Sequence, residues 1–330
     1  MEKRWAAAMI TAILFSIFFI AWNVTTMAQQ RPVIRFGYNK GATAPALLVG
    51  KNKGIFDGKG FEVRWLTFGG PPMVIEAIAA SSLDAGVVVD PTYVVARERG
   101  VKVSAVALLA GPEQPSSSYF VLKDSGINRI EDLRGKSCGV NNYGGNFDLF
   151  LRYMLDKHGL VPMKDVKILE MPIPTVFSTL LAKKIDCGVV PPLFAQMGLE
   201  QYSDKMRILF DYYDLDINKD GWNTMIMVMS QDLIGKRRET ARAFLKAYLE
   251  AIKYTNEDQD RAIQVWSQEE KMPAVAKMKK IPFLPPNGKI NVKGMENTIM
   301  LLKRFGFTKT EPRAETVIDH TLLDEVLEGK

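Results

Sequence analysis

The sequence predicts an α/β protein built from two doubly wound lobes, and three observations carry this prediction. The chain has 330 residues, of which 47% are hydrophobic and 24% charged, which is material for about two domains. A segment repeats at an offset of 102 residues, because residues 80–88 align with residues 182–190, and the same offset carries Gly37 onto Gly139. In both copies, short apolar strands alternate with helical patterns, which is typical of parallel sheets covered by helices on both faces.

The elements of the first copy follow from turn and breaker residues. Glycines and prolines separate the apolar runs, and each run is short enough for one strand or helix. The predicted order is a strand at 33–38, a loop at 39–43, a helix at 45–53, a strand at 61–68, a helix opened by residues 69–72, and a strand at 84–89.

The second copy repeats this plan. Its predicted elements are a strand at 137–140, a glycine-rich loop at 141–146, a helix at 147–157, and strands at 166–170 and 186–190. A period of about one hundred residues is too long for a solenoid and indicates two domains of similar design.

The N-terminus has the pattern of an export signal. Lys3 and Arg4 precede an uncharged run at 5–22, and small side chains follow up to Ala28. We therefore expect residues 1–28 to be a signal peptide cleaved after Ala28. An uncleaved membrane anchor is the alternative, since the run is nearly long enough to span a bilayer. In both cases the remainder is exported, and no cysteine near the cleavage point offers a lipid attachment site.

Composition argues against two other classes of function. The chain carries 43 basic and 37 acidic residues, and this modest excess of +6 is spread over the sequence, so we expect no nucleic-acid partner. Two cysteines and two histidines are too few and too scattered for a structural zinc site. We expect neither a metal nor a cofactor. The methionines at 225, 227 and 229 alternate along one predicted strand and are interpreted as core residues.

The predicted ligand site lies where the strands end. In an open parallel sheet, ligands bind beyond the carboxyl ends of the strands, so the loops at 39–43, 90–92, 141–146 and 191–193 should converge on one cleft. Glycine lets backbone amides approach a ligand, and helix starts point unpaired N–H groups at it, which suits an oxyanion. The alternative interpretation is that these glycines only permit tight strand-to-helix turns.

Candidate ligand contacts come from these loops and their neighbours. The loop and helix-start candidates are Asn39, Gly41, Thr43, Gly69, Gly70, Asp90, Thr92, Asn142, Gly144, Gly145, Asn146, Pro191 and Pro192. Aromatic candidates for apolar walls are Tyr38, Phe68, Tyr143 and Trp222, with core packing as the alternative for each. Thr43 and Asn146 could instead cap helices. These loops contain no arginine, which weighs against a tightly held carboxylate or sulfonate.

Cys138 and Cys187 fall at corresponding positions of two strands expected to be neighbours. An oxidising compartment permits a disulfide between them, but adjacent parallel strands offer poor geometry for the bond. Two buried thiols and one disulfide therefore both stay open.

Several segments together resemble a known family. They are Phe36-Gly37-Tyr38, the helix ending Gly50-Lys51-Asn52-Lys53-Gly54, Gly60-Phe61-Glu62-Val63, residues 77–84 leading into Asp90-Pro91, and Leu133-Arg134-Gly135-Lys136. The chain resembles, over about residues 33–252, the periplasmic solute-binding proteins of ABC importers. The group concerned takes nitrate, sulfonates and taurine and includes binders of thiamine-pyrimidine precursors.

The resemblance implies a type II periplasmic-binding-protein-like fold whose chain crosses between the lobes twice. The crossings map to Ser118–Leu122 and to residues 224–229. The first lobe is then residues 31–117 plus 226–330, with helical patterns at 236–254 and 258–267, and the second lobe is residues 118–225. The crossings are hinges, so the cleft between the lobes closes while both cores stay rigid.

The function that the resemblance implies is capture of a small solute and its delivery to an ABC permease in the membrane. We expect a monomeric extracytoplasmic protein, not an enzyme, that binds a sulfonate- or nitrate-like anion or a small heteroaromatic. The sequence lacks Gly-x-Ser-x-Gly. One alternative is a biosynthetic enzyme of the thiamine-pyrimidine or menaquinone-precursor type on the same fold, although the former's cysteine-rich iron motif is missing. The other is a ligand sensor that presents its closed form to a membrane receptor.

Overall fold

The computed structural model describes residues 31–39, 45–111, 116–219, 221–273, 275–278, 280–281 and 284–329. The predicted signal peptide at 1–28 lies outside these residues, and so do two candidate contacts of the first glycine loop, Gly41 and Thr43. Within them, ten strands form two five-stranded sheets with helices packed against them.

The strands are β1 (Val33–Tyr38), β2 (Glu62–Thr67), β3 (Ala85–Val88), β4 (Val103–Ala110), β5 (Ser118–Leu122), β6 (Ser137–Val140), β7 (Lys167–Glu170), β8 (Cys187–Val190), β9 (Met206–Asp211) and β10 (Met225–Ser230). The α-helices are α1 (Pro45–Asn52), α2 (Pro71–Ala79), α3 (Asp90–Glu98), α4 (Asn146–Lys157), α5 (Val176–Leu181), α6 (Pro192–Tyr202), α7 (Gln231–Lys236), α8 (Arg238–Glu257), α9 (Gln259–Glu270), α10 (Val292–Arg304), α11 (Ala314–Val317) and α12 (Thr321–Leu327). Short 3₁₀ helices occupy Ile130–Leu133, Ile173–Thr175, Tyr212–Asp214, Asp216–Asn218 and Val275–Lys277.

The two sheets have the same plan. The first has the order β2-β1-β3-β10-β4 and the second the order β7-β6-β8-β5-β9. We call the parts of the chain built on them the first lobe and the second lobe. In each sheet three strands pair in parallel, as the sequence predicts, but the fourth, β10 or β5, pairs antiparallel with both neighbours. The sheets are therefore mixed, because the chain reaches β10 and β5 from the other lobe and not through a crossover helix.

The repeat predicted from the sequence is confirmed in atomic detail. Gly37 pairs with Gly86 in the first sheet, and Gly139 pairs with Gly188 at the same place in the second. A Cβ added to Gly86 would lie 2.5 Å from a side-chain carbon of Val74 on α2, and one added to Gly188 would lie 2.6 Å from the equivalent carbon of Val176 on α5. Glycine at these positions allows a helix to pack directly on the sheet.

A carboxylate anchors the equivalent strands β1 and β6 of the two lobes. Asp84 accepts the backbone N–H of Arg35 at 2.8 Å, and Asp186 accepts that of Ser137 at 2.9 Å. Burial alone would raise the pKa of Asp84, but hydrogen bonds from Arg35 and Arg237 outweigh burial and hold the pKa below its usual value. These acids lie at the strand ends opposite the loops predicted to bind ligand, so they serve the fold.

The two lobes pack against each other. One apolar cluster contains residues of both lobes, for example Tyr93 of α3 and Phe150 of α4. A second cluster, beneath the first sheet, includes Leu193 from α6 of the second lobe. Met227 and Met229 are buried in this second cluster, which confirms their interpretation as core residues.

Cys138 and Cys187 are register partners on β6 and β8, and both are buried free thiols in this structure. Of the two alternatives that the sequence left open, the structure contains the thiols.

Candidate ligand-binding site

A small cavity lies where the two crossing segments meet the second lobe. The centre of a water molecule can reach about 20 Å³ inside it, which is room for about one water, so a larger solute enters only if the lobes move apart. The nine residues that line it are Ser116, Ser117, Asn146, Phe147, Phe150, Pro192, Tyr212, Trp222 and Thr224.

The lining residues are placed by helix starts and by the two segments that cross between lobes. Asn146 and Pro192 are the first residues of α4 and α6, which begin just beyond the carboxyl ends of β6 and β8. Ser116 and Ser117 lead into β5, while Trp222 and Thr224 lead into β10. The cavity therefore lies near the carboxyl ends of the parallel strands β6 and β8, where the topology predicts a ligand site, and beside the segments that join the lobes.

Three aromatic rings form much of the wall. Phe150 and Trp222 have ring centroids 4.5 Å apart with planes at 77°, and Phe150 and Tyr212 have centroids 5.2 Å apart at 75°. Tyr212 and Trp222 are 6.3 Å apart at 84°. We call these residues the aromatic trio. Edge-to-face packing fixes the three rings relative to one another, so the wall is preformed.

Three polar atoms of the lining are buried without a hydrogen-bond partner among the described residues. They are Asn146 Oδ1, Tyr212 Oη and Trp222 Nε1. Buried polar groups in folded proteins are almost always paired, and an exception calls for a bound water or ligand. These three atoms come from three separate segments around one cavity, which makes the cavity the candidate binding site.

Asp90 lies beside this cavity. It is the first residue of α3, directly beyond β3, and is fully buried. Its Oδ2 accepts a 2.7 Å hydrogen bond from Asn223, the residue between the lining residues Trp222 and Thr224, whereas its Oδ1 has no partner among the described residues. Burial raises the pKa of Asp90 to about 8, although the hydrogen bond from Asn223 opposes the shift.

Asp90 also acts on the cavity electrostatically. Burial raises the pKa of Tyr212 well above its usual value, and the negative charge of Asp90 adds to the shift. None of the nine lining residues is an arginine or a lysine. Helix starts at Asn146 and Pro192 offer weak positive potential, but the start of α3 is occupied by the Asp90 carboxyl group. The expected oxyanion receptor is thus only partly formed.

The structure brings together some of the predicted contact residues. Asn146, Pro192 and Trp222 line the cavity, and Asp90 lies next to it. Other predicted contacts within the described residues are absent from the lining, and a ligand role for them stays a prediction. They are Tyr38, Asn39, Phe68, Gly69, Gly70, Thr92, Asn142, Tyr143, Gly144, Gly145 and Pro191.

Two of these aromatic candidates have clear structural positions. Tyr38 is buried in the core of the first lobe, where its ring centroid is 6.3 Å from that of Trp65. Tyr143 is 42% exposed, and its hydroxyl donates a 3.0 Å hydrogen bond to the carbonyl of Ile168 in β7. Tyr143 therefore extends along the second sheet.

Sequence reasoning missed six lining residues: Ser116, Ser117, Phe147, Phe150, Tyr212 and Thr224. Phe147 and Phe150 are three residues apart on α4, a spacing that normally indicates core. Tyr212 follows β9, a strand that the sequence did not indicate. Ser116 and Ser117 directly precede one predicted crossing and Thr224 is the first residue of the other, so the crossings themselves were the signal that could have identified these three.

The described residues contain no cluster of three or more His, Cys, Asp or Glu side chains able to hold a metal ion. None of their helices combines the length and the apolar character that a membrane span requires.

Comparison of the sequence with known proteins gives one family. The family model described as "NMT1/THI5 like" matches residues 43–262, about two thirds of the chain. A 4-amino-5-hydroxymethyl-2-methylpyrimidine phosphate synthase of Saccharomyces cerevisiae is 28% identical over 230 residues, which are 67% of this chain and 65% of the yeast protein. The chain thus spans slightly less than two thirds of the yeast relative's length. A protein of Brucella abortus described as a binding protein is 28% identical over 195 residues, 58% of this chain and 56% of that one.

Comparison of the structure gives the same fold. The periplasmic aliphatic sulphonate-binding protein SsuA of Escherichia coli superposes with a TM-score of 0.71 at 18% identity, covering 87% of this chain and 92% of that one. The periplasmic nitrate-binding protein NrtA of Synechocystis gives 0.71 at 14% identity, covering 90% and 88%. These matches confirm the predicted fold class of two α/β lobes of the type II periplasmic-binding-protein kind.

Proposed function

The chain belongs to the NMT1/THI5-like family, and from this premise we propose that it is an extracytoplasmic solute-binding protein of an ABC importer. The observation that carries the proposal is the cavity lined by the second lobe and by both crossing segments. Because the crossing segments are the hinges, a site lined by them changes shape when the lobes move, as capture of a solute by closure requires.

Two polar contacts join the lobes. Arg304 at the end of α10 pairs with Asp156 of α4. The side chain of Gln196 on α6 donates a 3.2 Å hydrogen bond to the carbonyl of Lys277 in the first lobe. Solute entry therefore needs these contacts to part. A solute that binds both lobes shifts the population toward the closed form by its extra contacts there.

Of the two solute classes expected from the sequence, the lining favours a small heteroaromatic over an inorganic or sulfonate anion. The aromatic trio offers stacking and edge contacts to a planar ring. An anion would find no arginine or lysine among the lining residues.

The location and the partner are part of the proposal. The N-terminal residues 1–28 have the pattern of an export signal, and SsuA and NrtA are described as periplasmic binding proteins. We propose that the mature chain works outside the cytoplasm as a monomer and delivers its solute to a membrane permease.

The proposal is tested by solute capture. The chain from residue 29 onward is purified, its co-purified solute is identified by native mass spectrometry, and small-angle scattering is recorded before and after the solute is removed by partial unfolding and refolding. We expect a smaller radius of gyration with solute than without. Trp222→Ala, which removes one cavity wall, should lose the solute, whereas Tyr143→Ala should retain it. A radius unchanged by solute would contradict capture by closure.

A second candidate is an enzyme, because the yeast relative is named as a pyrimidine phosphate synthase. A binding protein and an enzyme differ in the fate of the bound small molecule. Incubation of the chain with its co-purified solute, followed by mass spectrometry, should recover the solute unchanged if the chain is a binding protein. Formation of a product at a rate that depends on the protein would support the enzyme.

A further inference from the structure

We propose that Trp222 moves with the first lobe, and that the solute enters between its ring and the rings of Phe150 and Tyr212 when the chain turns at Gly221. This inference deepens the proposed function and rests on it, because it takes opening and closure of the lobes as the way in which a solute is captured.

The residue after Trp222 is bound to the first lobe. The side-chain amide of Asn223 donates to Asp90 Oδ2 at 2.7 Å and to the carbonyl of Asn291 at 2.9 Å. Its oxygen accepts the backbone N–H of Asn291, also at 2.9 Å. Asn223 is fully buried, so breaking these bonds would leave polar groups unpaired away from water. Asn223 therefore keeps its place on the first lobe when the lobes part.

Both neighbours of this anchor are held by the first lobe as well. Gly294 of α10 packs directly on the backbone before it, since a Cβ added to Gly294 would lie 3.1 Å from the Cα of Trp222. After it, Thr224 donates its backbone N–H to the carbonyl of Ala110 and its hydroxyl to the carbonyl of Gly111, both at 2.9 Å. The anchor is thus fixed to α10 on one side and to the end of β4 on the other.

A few residues earlier, the chain is bound to the second lobe. The Asp216 carboxylate accepts the hydroxyl of Tyr153 at 2.6 Å and lies 3.0 Å from Lys157 Nζ, and both partners are on α4. The carbonyl of the next residue, Ile217, accepts a 2.6 Å hydrogen bond from Asn297 of α10. This bond joins the lobes, so it must part when they open.

Gly221 lies between these two anchored stretches. Its φ of 88° is in the left-handed region that glycine tolerates, and a Cβ added to it would lie 2.6 Å from Asn291 Nδ2. Asn291 is itself held, because its Oδ1 accepts the N–H of Gly294 and caps α10. The closed form therefore favours glycine at position 221, and backbone rotation there separates the two stretches without disturbing either lobe.

This arrangement divides the aromatic trio between the lobes. Trp222 is carried by the first lobe, whereas Phe150 of α4 and Tyr212 after β9 belong to the second. The ring contacts of Trp222 at 4.5 and 6.3 Å are then contacts between lobes. In the closed form neither Trp222 Nε1 nor Tyr212 Oη has a partner among the described residues. A planar solute with polar edges that enters between the rings gains aromatic contacts on two sides and partners for these atoms.

The exposure of each tryptophan ring tests the inference. The chain from residue 29 onward contains Trp65, Trp222 and Trp266 and is labelled with 5-fluorotryptophan, so that each ring gives one ¹⁹F resonance. Trp65→Phe and Trp266→Phe assign the resonances. Broadening by a neutral, soluble nitroxide measures how exposed each ring is. Trp65 and Trp266 pack in the apolar cluster beneath the first sheet and serve as internal references.

The labelled chain is measured with its co-purified solute and again after the solute is removed. We expect removal to increase the broadening of Trp222 at least about threefold, because the open form exposes its ring, and to leave Trp65 and Trp266 unchanged. Trp222 broadening no more than Trp266, while the radius of gyration increases, would show that Trp222 stays stacked on the second lobe and would overturn the inference.

Hydrogen exchange shows which lobe carries Trp222. The amide of Asn291 donates to Asn223, and that of Thr224 donates to Ala110, so both should exchange equally slowly with and without solute. If solute removal speeds up their exchange at least about tenfold, this stretch leaves the first lobe on opening and the inference is overturned.

Two glycine variants test the turn. Gly221→Ala should bind the co-purified solute at least about fivefold more weakly, because backbone strain and the contact with Asn291 both disfavour the closed form. Gly100→Ala is the matched control, since Gly100 has φ of 84° and no heavy atom within 4 Å of an added Cβ. It should stay within about twofold of the wild type. Folded Gly221→Ala that binds like the wild type would overturn the turn at this residue. The wild-type measurements decide the role of Trp222 even if Gly221→Ala fails to fold.

The radius of gyration separates this inference from the proposed function. A radius that never changes with solute would overturn the proposed function, and this inference with it. A radius that changes without exposing Trp222 would overturn this inference alone and leave capture by closure standing.

Discussion

Glycines paired across adjacent strands show how single residues set the packing of each lobe. Gly86 has Val74 of α2 on one side and the carbonyl oxygen of Gly37, only 2.8 Å from an added Cβ, on the other. The backbone oxygen cannot move without breaking the strand pairing. Even one methyl group is therefore too large at this position.

We predict that Gly86→Ala lowers the free energy of unfolding by about 1–3 kcal/mol, the usual cost of overpacking. The matched control is Gly235→Ala, since Gly235 lies in α7 with no heavy atom within 4 Å of an added Cβ. That change should be neutral or stabilising by up to about 1 kcal/mol, because alanine favours helix. Denaturant titration measures both, and equal effects of the two changes would contradict the packing argument.

Asp90 should make the solute-free protein less stable as the pH rises. Its pKa is about 8 in the folded chain, raised by burial, against 3.8 without burial. Between about pH 4 and about pH 8 the folded state therefore binds more protons than the unfolded state, and stability falls with pH across this window. Asp90→Asn should remove the decrease and be more stable than the wild type above about pH 8.

The measurement is the difference in unfolding free energy between wild type and Asp90→Asn at several pH values. Taking the difference cancels other titrating groups, such as His320, whose pKa is lowered by burial. A difference that does not change with pH would show that Asp90 is ionised in the folded chain at every pH tested.

At the scale of elements, α4 of the second lobe and the C-terminal end of α10 form one contact between lobes. The guanidinium of Arg152 lies 5.2 Å from the ring centroid of Phe307, and Gly144, with φ of 68°, packs against the same ring. The segment after Phe307 is bound to the first lobe, because Glu98 of α3 accepts the backbone N–H groups of Lys309 and Thr310. Phe307 thus connects the lobes through packing.

We predict that Phe307→Ala shifts the chain toward an open form and weakens solute binding by about tenfold, since a half-buried cation–π contact and apolar packing are lost. Arg304→Ala is the comparison: its ion pair with Asp156 is half exposed, so it should change binding by less than about threefold. Small-angle scattering of the solute-free chain should give a larger radius for Phe307→Ala alone. Equal radii for wild type and both variants would refute the contact's role in closure.

For the whole molecule, the two lobes differ in chain continuity. All five strands of the second sheet come from residues 118–211, but the first sheet has β10 inserted between β3 and β4. Without β10, the strands β3 and β4 lose the neighbour with which both pair.

We therefore predict that a fragment of residues 116–219 folds by itself, while a fragment of residues 31–111 does not. Amide chemical-shift dispersion in NMR spectra distinguishes the two outcomes. The control joins residues 31–111 to residues 224–329 through a flexible Gly/Ser linker, which restores β10 and should restore folding. If residues 31–111 fold without β10, the strand is dispensable to the first sheet.

Most of the fold could be predicted from the sequence because apolar periodicity and turn residues specify the strands and helices locally. The strands at Val33–Tyr38, Ser118–Leu122 and Ser137–Val140 have the predicted bounds, and the repeat at 102 residues is reproduced in strand register and glycine contacts. The family resemblance is confirmed for the same reason: glycines, prolines and apolar runs at fixed spacing mark the turns and strands. Helix α3 was missed, since Asp90-Pro91-Thr92 has the composition of a loop but begins a helix.

The binding site could be predicted only in part. Strand ends and helix starts located Asn146 and Pro192, because topology alone brings such positions to one edge of a sheet. The aromatic trio could not be assembled from the sequence, since Phe150, Tyr212 and Trp222 belong to separate segments whose meeting depends on how the lobes pack.

The sequence by itself determined the two-lobed α/β plan, its duplication and the family, because local periodicity and turn residues specify each of them. Only the tertiary structure decided that β5 and β10 run antiparallel, which residues line the cavity, and that Asp90 is buried with one oxygen unpaired. Burial and hydrogen bonding depend on contacts between distant segments, and spacing along the chain does not contain them.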